Sequence, residues 1–190
     1  MAVKAALKEN SFGNRTRVKT GRVRLSFPHL LEKYDKSEKY QAQFLIDKED
    51  AETVRVVEAA IKNAKEDGKT RLWGGKMPGK VVVAMKDGDE RDDPDSYVEQ
   101  AGCLVVTAKS KNQPPVLGPD GGDIFDADEI YAGCYVQAIF EAYPYSQDTK
   151  GVAFALQGVK KLADGERIGG GGYKASADDF DADDDVLDDF

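Results

Sequence analysis

Long apolar segments are missing from this chain of 190 residues. Its longest apolar runs, such as residues 81–85 and 103–106, are far shorter than the roughly 20 residues that a membrane-spanning helix needs. The opening residues, MAVKAALKEN, also lack the apolar stretch of a signal peptide. We therefore expect a cytoplasmic protein that does not enter a membrane.

Histidine and cysteine are scarce as well. The single histidine, His29, cannot supply a His pair or a His/Cys cluster for zinc, and no serine lies in a segment that resembles a nucleophile elbow. Cys103 and Cys134 each lie in an apolar run typical of a strand, so we expect buried reduced thiols rather than a disulfide or a metal site. These shortages predict a protein that is not an enzyme and that holds no metal or cofactor.

Two apparent ligand motifs lack residues that their chemistry requires. Residues 74–81, GGKMPGKV, match a phosphate-binding loop, but Val81 stands where Ser or Thr must ligate magnesium, and a strand pattern follows in place of a helix. Residues 179–183 have the alternating aspartates of a calcium loop, but Asp184 occupies the glycine position and Phe190 that of the bidentate glutamate. Neither motif predicts a site.

Acidic charge is concentrated at one end of the chain. The sequence has 27 basic and 35 acidic residues, and residues 175–190 hold eight aspartates without a Lys or an Arg. The preceding 174 residues are left with 27 acidic and 27 basic side chains. The body is therefore neutral, and the net charge of −8 belongs to the C-terminal segment.

Acidic residues are also absent from three stretches of this neutral body. Residues 10–31 and 69–86 contain Lys and Arg, and residues 100–119 contain Lys, but none of the three has Asp or Glu, whereas acids cluster in residues 87–95 and 120–129. Such sorting is typical of a basic surface that binds a polyanion. It would also arise if charged residues merely solvate loops and strand faces, because order along the chain does not establish positions in space.

Strand patterns dominate the body. Residues 22–27, RVRLSF, alternate in a way that places Phe27 on the apolar face and predicts a strand ending at Pro28. Residues 39–46, KYQAQFLI, alternate similarly and predict a hairpin with the first strand. Four more strands are predicted from the segments KVVVAM, GCLVVTAK, GCYVQAIFEAY and GVAFALQGVKKL.

One helix is predicted between these strands. Asp47 or Asp50 can cap its N-terminus, and Gly68 is expected to end it. Its apolar side chains recur at helical spacing and predict a face packed on the core: Val54, Val57, Ala60, Ile61 and Ala64. About five to seven strands with one helix indicate a mainly β, α+β fold built as a small barrel or sandwich.

The C-terminal segment has too little apolar mass to fold by itself. Four glycines, residues 169–172, precede its polar and strongly acidic part. We predict one domain over residues 1–168, with residues 1–14 as a flexible start, followed by a glycine-rich linker and a disordered acidic tail over residues 169–190.

Basic residues in the strands and loops are interleaved with aromatic residues. Lys and Arg neutralise phosphates, and aromatic faces stack on unpaired bases for roughly 1–3 kcal/mol each. A surface of this composition suits a single-stranded nucleic acid. The residues that we predict to contact it are Arg15, Arg17, Lys19, Arg22, Arg24, Tyr34, Lys39, Tyr40, Arg71, Trp73, Lys76, Lys80, Lys109, Lys111, Tyr135 and Tyr143.

Three segments resemble a phage family of single-stranded DNA-binding proteins. They are GRVRLSFPHLLEK (residues 21–33), KYQAQFLIDKED (residues 39–50) and a block within residues 130–168 that contains AGCYVQAIFEAY followed by KGVAFALQGVKKL. The resemblance implies an OB-fold, a partly open β-barrel whose face and loops accept single-stranded DNA without strong sequence preference. It also implies a role in phage DNA replication or recombination.

The acidic tail is similar to those of replication single-stranded DNA-binding proteins, which end in acidic residues and an apolar or aromatic tip. This similarity implies that the tail recruits replication proteins such as a polymerase, helicase or primase and that it competes with DNA. The residues of this docking segment are Asp183, Asp184, Asp185, Val186, Leu187, Asp188, Asp189 and Phe190.

Two other functions are compatible with the sequence. A phage structural or assembly protein could carry a β-rich domain with an acidic tail that only keeps it soluble. A DNA mimic is disfavoured, because its acids should cover the folded surface and not a tail. Homo-oligomerisation stays open.

Overall fold

A computed structural model describes residues 3–93 and 95–169. The acidic docking segment therefore lies outside the described residues. Within them, the helix α1 spans Ala51–Arg71 and a 3-10 helix spans Val98–Gln100. The strands are β1 (Ala6–Glu9), β2 (Arg15–Lys19), β3 (Val23–Tyr34), β4 (Lys39–Asp47), β5 (Val82–Val83), β6 (Met85–Asp87), β7 (Cys103–Ser110), β8 (Val116–Leu117), β9 (Tyr135–Ser146) and β10 (Lys150–Ala163).

Five of these strands pair in an order that returns to its start. β3 pairs with β4, β4 with β7, β10 with β9 and β9 with β3, all antiparallel, and β7 pairs with β10 in parallel. The β7–β10 and β3–β9 seams are held by only two residue pairs each. The result is a partly open β-barrel with the mixed strand directions of an OB-fold, which confirms the predicted fold class.

Most of the predicted strands are present. GCLVVTAK, GCYVQAIFEAY and GVAFALQGVKKL form β7, β9 and β10, and the predicted hairpin is β3–β4. KVVVAM is split into β5 and β6, because the backbone of Ala84 between them bonds to Val152 and Thr107 on two different strands. The short strand β8 has no pattern that sequence analysis could detect.

The start of the chain is a hairpin, although the sequence predicts residues 1–14 as flexible. β1 pairs antiparallel with β2, and β2 pairs with β9, so the hairpin extends the barrel sheet. Its turn is closed by the Asn10 carboxamide, whose Oδ1 accepts hydrogen bonds from the backbone N–H groups of Phe12 and Asn14. The strand pattern of β1 is weak because two of its four residues are exposed and none is fully buried.

Pro28 does not end β3, and Phe27 does not point into the core. The pairing with β4 shifts between Ser26 and His29, and Phe27 has a φ of 43°. A bulge of this kind adds a residue and reverses the alternation, and it tolerates a proline that cannot donate to the ladder. Phe27 is consequently 44% exposed and not in the core, whereas Ser26 keeps its predicted place on the outer face, opposite Gln43, and is buried there.

Helix α1 begins as predicted and ends later. The Asp50 side chain accepts a hydrogen bond from Thr53 N at 3.1 Å, which is an N-cap. Gly68 lies inside the helix, where a Cβ atom would stand 2.7 Å from Pro144 Cβ and 2.8 Å from the Trp73 ring. Its glycine permits close packing and does not stop the helix. Among the described residues, no helix is both long and apolar enough to cross a membrane.

Replacing Gly68 with alanine is expected to lower the free energy of unfolding by about 1–3 kcal/mol, because the new methyl group overpacks this contact. Helix propensity alone would favour alanine by about 1 kcal/mol, so the sign separates packing from propensity. Urea denaturation measures the change. Gly79→Ala is the matched control, since a Cβ there meets no atom within 4 Å. Equal or greater stability of Gly68→Ala would contradict the packing argument.

The barrel interior is filled by aromatic and aliphatic side chains. The Phe44 and Phe140 rings stack with centroids 5.8 Å apart, and Phe140 meets Phe154 edge to face at 5.2 Å. Val57 and Ala60 of α1 join the same core. Burying such side chains contributes roughly 1.5–3 kcal/mol each. Because α1 packs on the core side of the sheet, the outer face of β3 and β4 is left uncovered by the helix.

The two cysteines are free thiols. Cys134 is fully buried, as predicted, whereas Cys103 at the start of β7 is only half-buried. Burial raises the pKa of both thiols, so both are protonated at neutral pH.

Candidate nucleic-acid interface

A cleft of about 300 Å³ lies on the outer face of β3 and β4. The bulge in β3 turns side chains into it, and the segment between β6 and β7 supplies its far wall. We call it the aromatic cleft, and its lining residues are Phe27, His29, Tyr34, Gln41, Gln43, Lys86, Tyr97 and Gln100.

Aromatic rings form two pairs in this cleft. The centroids of Phe27 and Tyr97 are 5.8 Å apart with an interplanar angle of 60°, and those of His29 and Tyr34 are 4.4 Å apart. Phe27 is 44% and Tyr97 52% exposed. Lys86 Nζ lies 5.8 Å from the Tyr97 ring centroid. Exposed rings beside a cation can stack on unpaired bases while the ammonium group neutralises a phosphate.

The segment that carries Tyr97 is held by an arginine and a glycine. Arg91 Nη1 donates to the carbonyl oxygens of Ser96 and Tyr97, both at 2.8 Å. Gly88 lies directly under the Gln100 carbonyl, so close that no Cβ atom would fit. Both contacts hold the segment over the outer ends of β3 and β4, and they position Tyr97 and Gln100 at the cleft.

Acidic residues anchor the same segment. Lys48 Nζ contacts Asp87 Oδ1 and Asp89 Oδ2, each at 2.6 Å, and Asp89 Oδ1 accepts a hydrogen bond from Gly102 N. The hydrogen bond with Asp87, followed by that with Asp89, raises the pKa of Lys48 to about 12. The same bonds lower the pKa of both carboxyl groups. Lys48 offsets part of the charge of these two aspartates, so part of the acidic cluster at residues 87–95 stabilises a loop beside the cleft.

Three of the predicted contact residues lie at the aromatic cleft or next to it. Tyr34 lines it, Lys39 is opposite Tyr34 in the β3–β4 ladder, and Lys109 is opposite Gln41 in the β4–β7 ladder. Tyr40 alternates to the opposite face of β4, where it is partly buried beneath Lys33, so it does not belong to the cleft. Lys111 is exposed just beyond β7.

A second basic row lies on β2. Arg15, Arg17 and Lys19 share the outward face of this strand, while the residues between them are buried. Arg17 lies 3.6 Å from Glu141 on β9, which offsets part of its charge. Tyr143 lies farther along β9 and is 42% exposed. Burial of the rest of its ring raises the pKa of its phenol. The structure thus separates this row from the aromatic cleft.

The residues at the β3–β9 seam have a structural role. Arg24 Nε donates to the Gly133 carbonyl at 3.2 Å, and Arg24 Nη2 donates to the Glu166 carbonyl at 2.5 Å. The Arg22 guanidinium lies over the Tyr135 ring, 3.9 Å from its centroid. Arg22 thus contacts the start of β9, and Arg24 ties β3 to the segments before β9 and after β10, so Arg24 is less available to a ligand than the sequence suggests.

Trp73 is not a stacking residue in this structure. It is 5% exposed, its ring packs on Gly68, and its Nε1 donates to the Tyr145 carbonyl at 3.2 Å. The sequence placed it on the interface because basic residues surround it, but the chain turns its ring inward after α1. Arg71, two residues earlier, is ion-paired with Asp67. Of this group, the loop residues Lys76 and Lys80 are exposed, which leaves their charges accessible.

Several cleft residues escaped sequence analysis. Phe27 was assigned to the core by alternation, and only the bulge exposes it. Tyr97 follows the acidic cluster at residues 87–95 in the sequence, and acidic neighbours disfavour an anion-binding role. Gln43 and Gln100 carry no charge or ring and so gave no signal. The proline after Phe27 is the one feature that could have indicated a bulge.

Comparison with known proteins identifies the family. The model of a family described as the single-stranded DNA-binding protein of Enterobacter phage Enc34 matches residues 16–190. The chain belongs to this family. Protein p50 of Acyrthosiphon pisum secondary endosymbiont phage 1 is 33% identical over 179 residues, which cover 87% of this chain and 92% of that protein.

Solved structures agree with the Enc34 family assignment. The Enc34 single-stranded DNA-binding protein in complex with single-stranded DNA superposes with a TM-score of 0.72 at 26% identity, covering 88% of this chain and 98% of that one. The single-stranded DNA-binding protein gp2.5 of bacteriophage T7 has a TM-score of 0.57 at 14% identity, over 84% of this chain and 98% of that one. The second likeness shows a common fold only.

Proposed function

We propose that this protein binds single-stranded DNA without strong sequence preference and coats exposed strands in the host cytoplasm during phage replication or recombination. The observation that carries the proposal is the aromatic cleft, where Phe27 and Tyr97 expose their rings beside Lys86. Membership of the Enc34 family supports it. The protein acts by binding, and we assign it no catalytic step.

Each part of the interface has a distinct role in this proposal. The cleft rings stack on unpaired bases, which a duplex does not offer because its bases already stack on one another. Lys39, Lys86 and Lys109 surround the cleft and neutralise phosphates. Arg15 and Lys19 on β2 form a second, separate basic row that a longer DNA strand would reach.

The acidic tail has two roles in this proposal. Residues 177–190 carry eight aspartates and are proposed to compete with DNA for the basic surface. A coil of the length of residues 169–190 reaches roughly 25 Å, which exceeds the radius of gyration of about 15 Å expected for a domain of this size. When DNA displaces the tail, Val186, Leu187 and Phe190 become available to a replication protein such as a polymerase, helicase or primase.

A fluorescence-anisotropy titration with labelled oligo-dT at two salt concentrations tests the proposed function. We expect oligo-dT to bind more tightly than a duplex of equal length and the affinity to fall steeply as salt rises, since bound phosphates release counterions. Equal affinity for duplex and single strand, or affinity that does not change with salt, would contradict single-strand coating.

A further inference from the structure

Two side chains that line the aromatic cleft have a buried amide oxygen without a hydrogen-bond partner. Among the described residues, five buried side-chain atoms have no hydrogen-bond partner: Arg17 Nε, Ser26 Oγ, Gln43 Oε1, Arg91 Nε and Gln100 Oε1. Ser26 is fully buried and Gln100 is 1% exposed. Native proteins leave few such atoms unpaired, because each one is destabilising. Gln43 and Gln100 line the aromatic cleft, and their two unpaired oxygens there point to a ligand that supplies the missing partners.

Gln43, with Ser26 beside it, and Gln100 come from separate elements of the fold. Ser26 and Gln43 are opposite each other in the β3–β4 ladder, and both lie on the outer face. Gln100 ends the 3-10 helix and is brought over the strands by the contact of its carbonyl with Gly88. Gln43 and Gln100 both line the cleft. The convergence is therefore built by tertiary structure and is not a property of one loop.

The two exposed rings of the cleft are held in uncommon backbone conformations. Phe27 has a φ of 43° and Tyr97 a φ of 53°. Both values lie in the left-handed region, which residues other than glycine rarely adopt. Such backbone strain persists where the surrounding structure imposes it, and it concentrates at ligand-binding sites. Arg91 imposes it on Tyr97 through the hydrogen bonds to Ser96 and Tyr97. Flat apolar rings and polar amide groups thus lie side by side.

We infer that the aromatic cleft is a nucleobase pocket, in which the rings stack on one unpaired base while Gln43 and Gln100 accept hydrogen bonds from its edge. The inference rests on the proposed function. Two amide oxygens need two N–H donors. The exocyclic amino group of adenine, cytosine or guanine supplies two N–H donors, whereas the base edge of thymine supplies only N3–H. The pocket favours these three bases at one position, while the rest of the bound strand is held without regard to sequence.

The contribution of the amino group is separated from stacking by two matched oligonucleotides. Oligo-deoxyadenosine is compared with an oligomer of purine deoxyriboside, the same ring system without the 6-amino group. Because every position is substituted, the register of the strand on the protein does not matter. We expect the full-length protein to bind oligo-deoxyadenosine roughly three- to tenfold more tightly, the range of one hydrogen bond.

Three variants assign the difference to the cleft. Gln100→Leu is expected to bring the two affinities within about twofold of each other, and to leave thermal stability equal or higher, since a buried unpaired amide is removed. Gln43→Leu serves as the second variant if Gln100→Leu does not fold. Gln147→Leu, in the exposed turn between β9 and β10, is the matched control and should keep the full difference.

Each outcome decides the inference. Equal binding of the two purine oligomers by the wild-type protein would overturn it, while binding of oligo-dT would still support the proposed function. A difference that persists in both Gln100→Leu and Gln43→Leu, or an equal loss for both oligomers, would overturn the assignment to these amides. Failure of every single strand to bind, oligo-dT included, would overturn the inference and the proposed function together.

Discussion

The double variant Phe27→Ala/Tyr97→Ala is expected to bind oligo-dT roughly 5- to 150-fold more weakly than the wild-type protein, which corresponds to about 1–3 kcal/mol for the loss of one stacked base. The two rings are the exposed walls of the aromatic cleft and meet at 5.8 Å. Their loss removes the stacking surface but leaves Lys39, Lys86 and Lys109 in place. We therefore expect the affinity to fall while its salt dependence is unchanged.

Two exposed phenylalanines elsewhere provide the matched control. Phe12 in the β1–β2 turn is 87% exposed, and Phe125 between β8 and β9 is 85% exposed. Phe12→Ala/Phe125→Ala removes as much exposed aromatic surface outside the cleft, and its affinity should stay within about twofold of wild type, because no stacked base is lost. Thermal denaturation checks that both double variants fold. An equal loss of affinity in the two double variants would show that the cleft is not the stacking site.

Deletion of residues 177–190 is expected to raise the affinity for oligo-dT, on the order of tenfold at low salt and much less at high salt, because competition by eight aspartates is electrostatic and screened. The neutral charge balance of residues 1–174 means that the tail supplies the whole net charge of −8. Anisotropy titrations of the full chain and the truncated chain at two salt concentrations measure the effect.

A full-length variant with all eight tail aspartates changed to asparagine is the control for chain length. It keeps Val186, Leu187 and Phe190, so it should match the truncation in DNA affinity if charge causes the competition. If Val186, Leu187 and Phe190 make the contact with a replication protein, this variant should still bind that protein. An unchanged or lower affinity after truncation would rule out competition between the tail and DNA.

Local patterns were sufficient for much of the fold. Alternation along β4, β7, β9 and β10 and the helical stripe of α1 follow from side-chain burial on one face, which depends only on the period of the element. The Asp50 cap was also predictable, since its bond to Thr53 is local. Gly68 was misinterpreted because a glycine that ends a helix and a glycine that admits Trp73 and Pro144 look the same in sequence.

The sequence identifies only some of the residues at the aromatic cleft. Tyr34, Lys39 and Lys109 were chosen for their chemistry, and the β3–β4 and β4–β7 ladders bring them to one region. Trp73 was chosen by the same argument and is buried. Charge and aromaticity identify which residue types suit a single strand, but they do not say which face of a strand each residue occupies.

The sequence by itself determined the period of each element, the neutral body with its separate acidic segment and the resemblance to the phage family. Only the tertiary structure decided which side of the sheet carries the cleft. The bulge in β3 turns Phe27 out of the core, and the contact between Gly88 and Gln100 brings a distant segment over β4. Periodicity is a local property of the chain, whereas exposure depends on which distant segments cover each face, so the rings and amides of the cleft become a site only after folding.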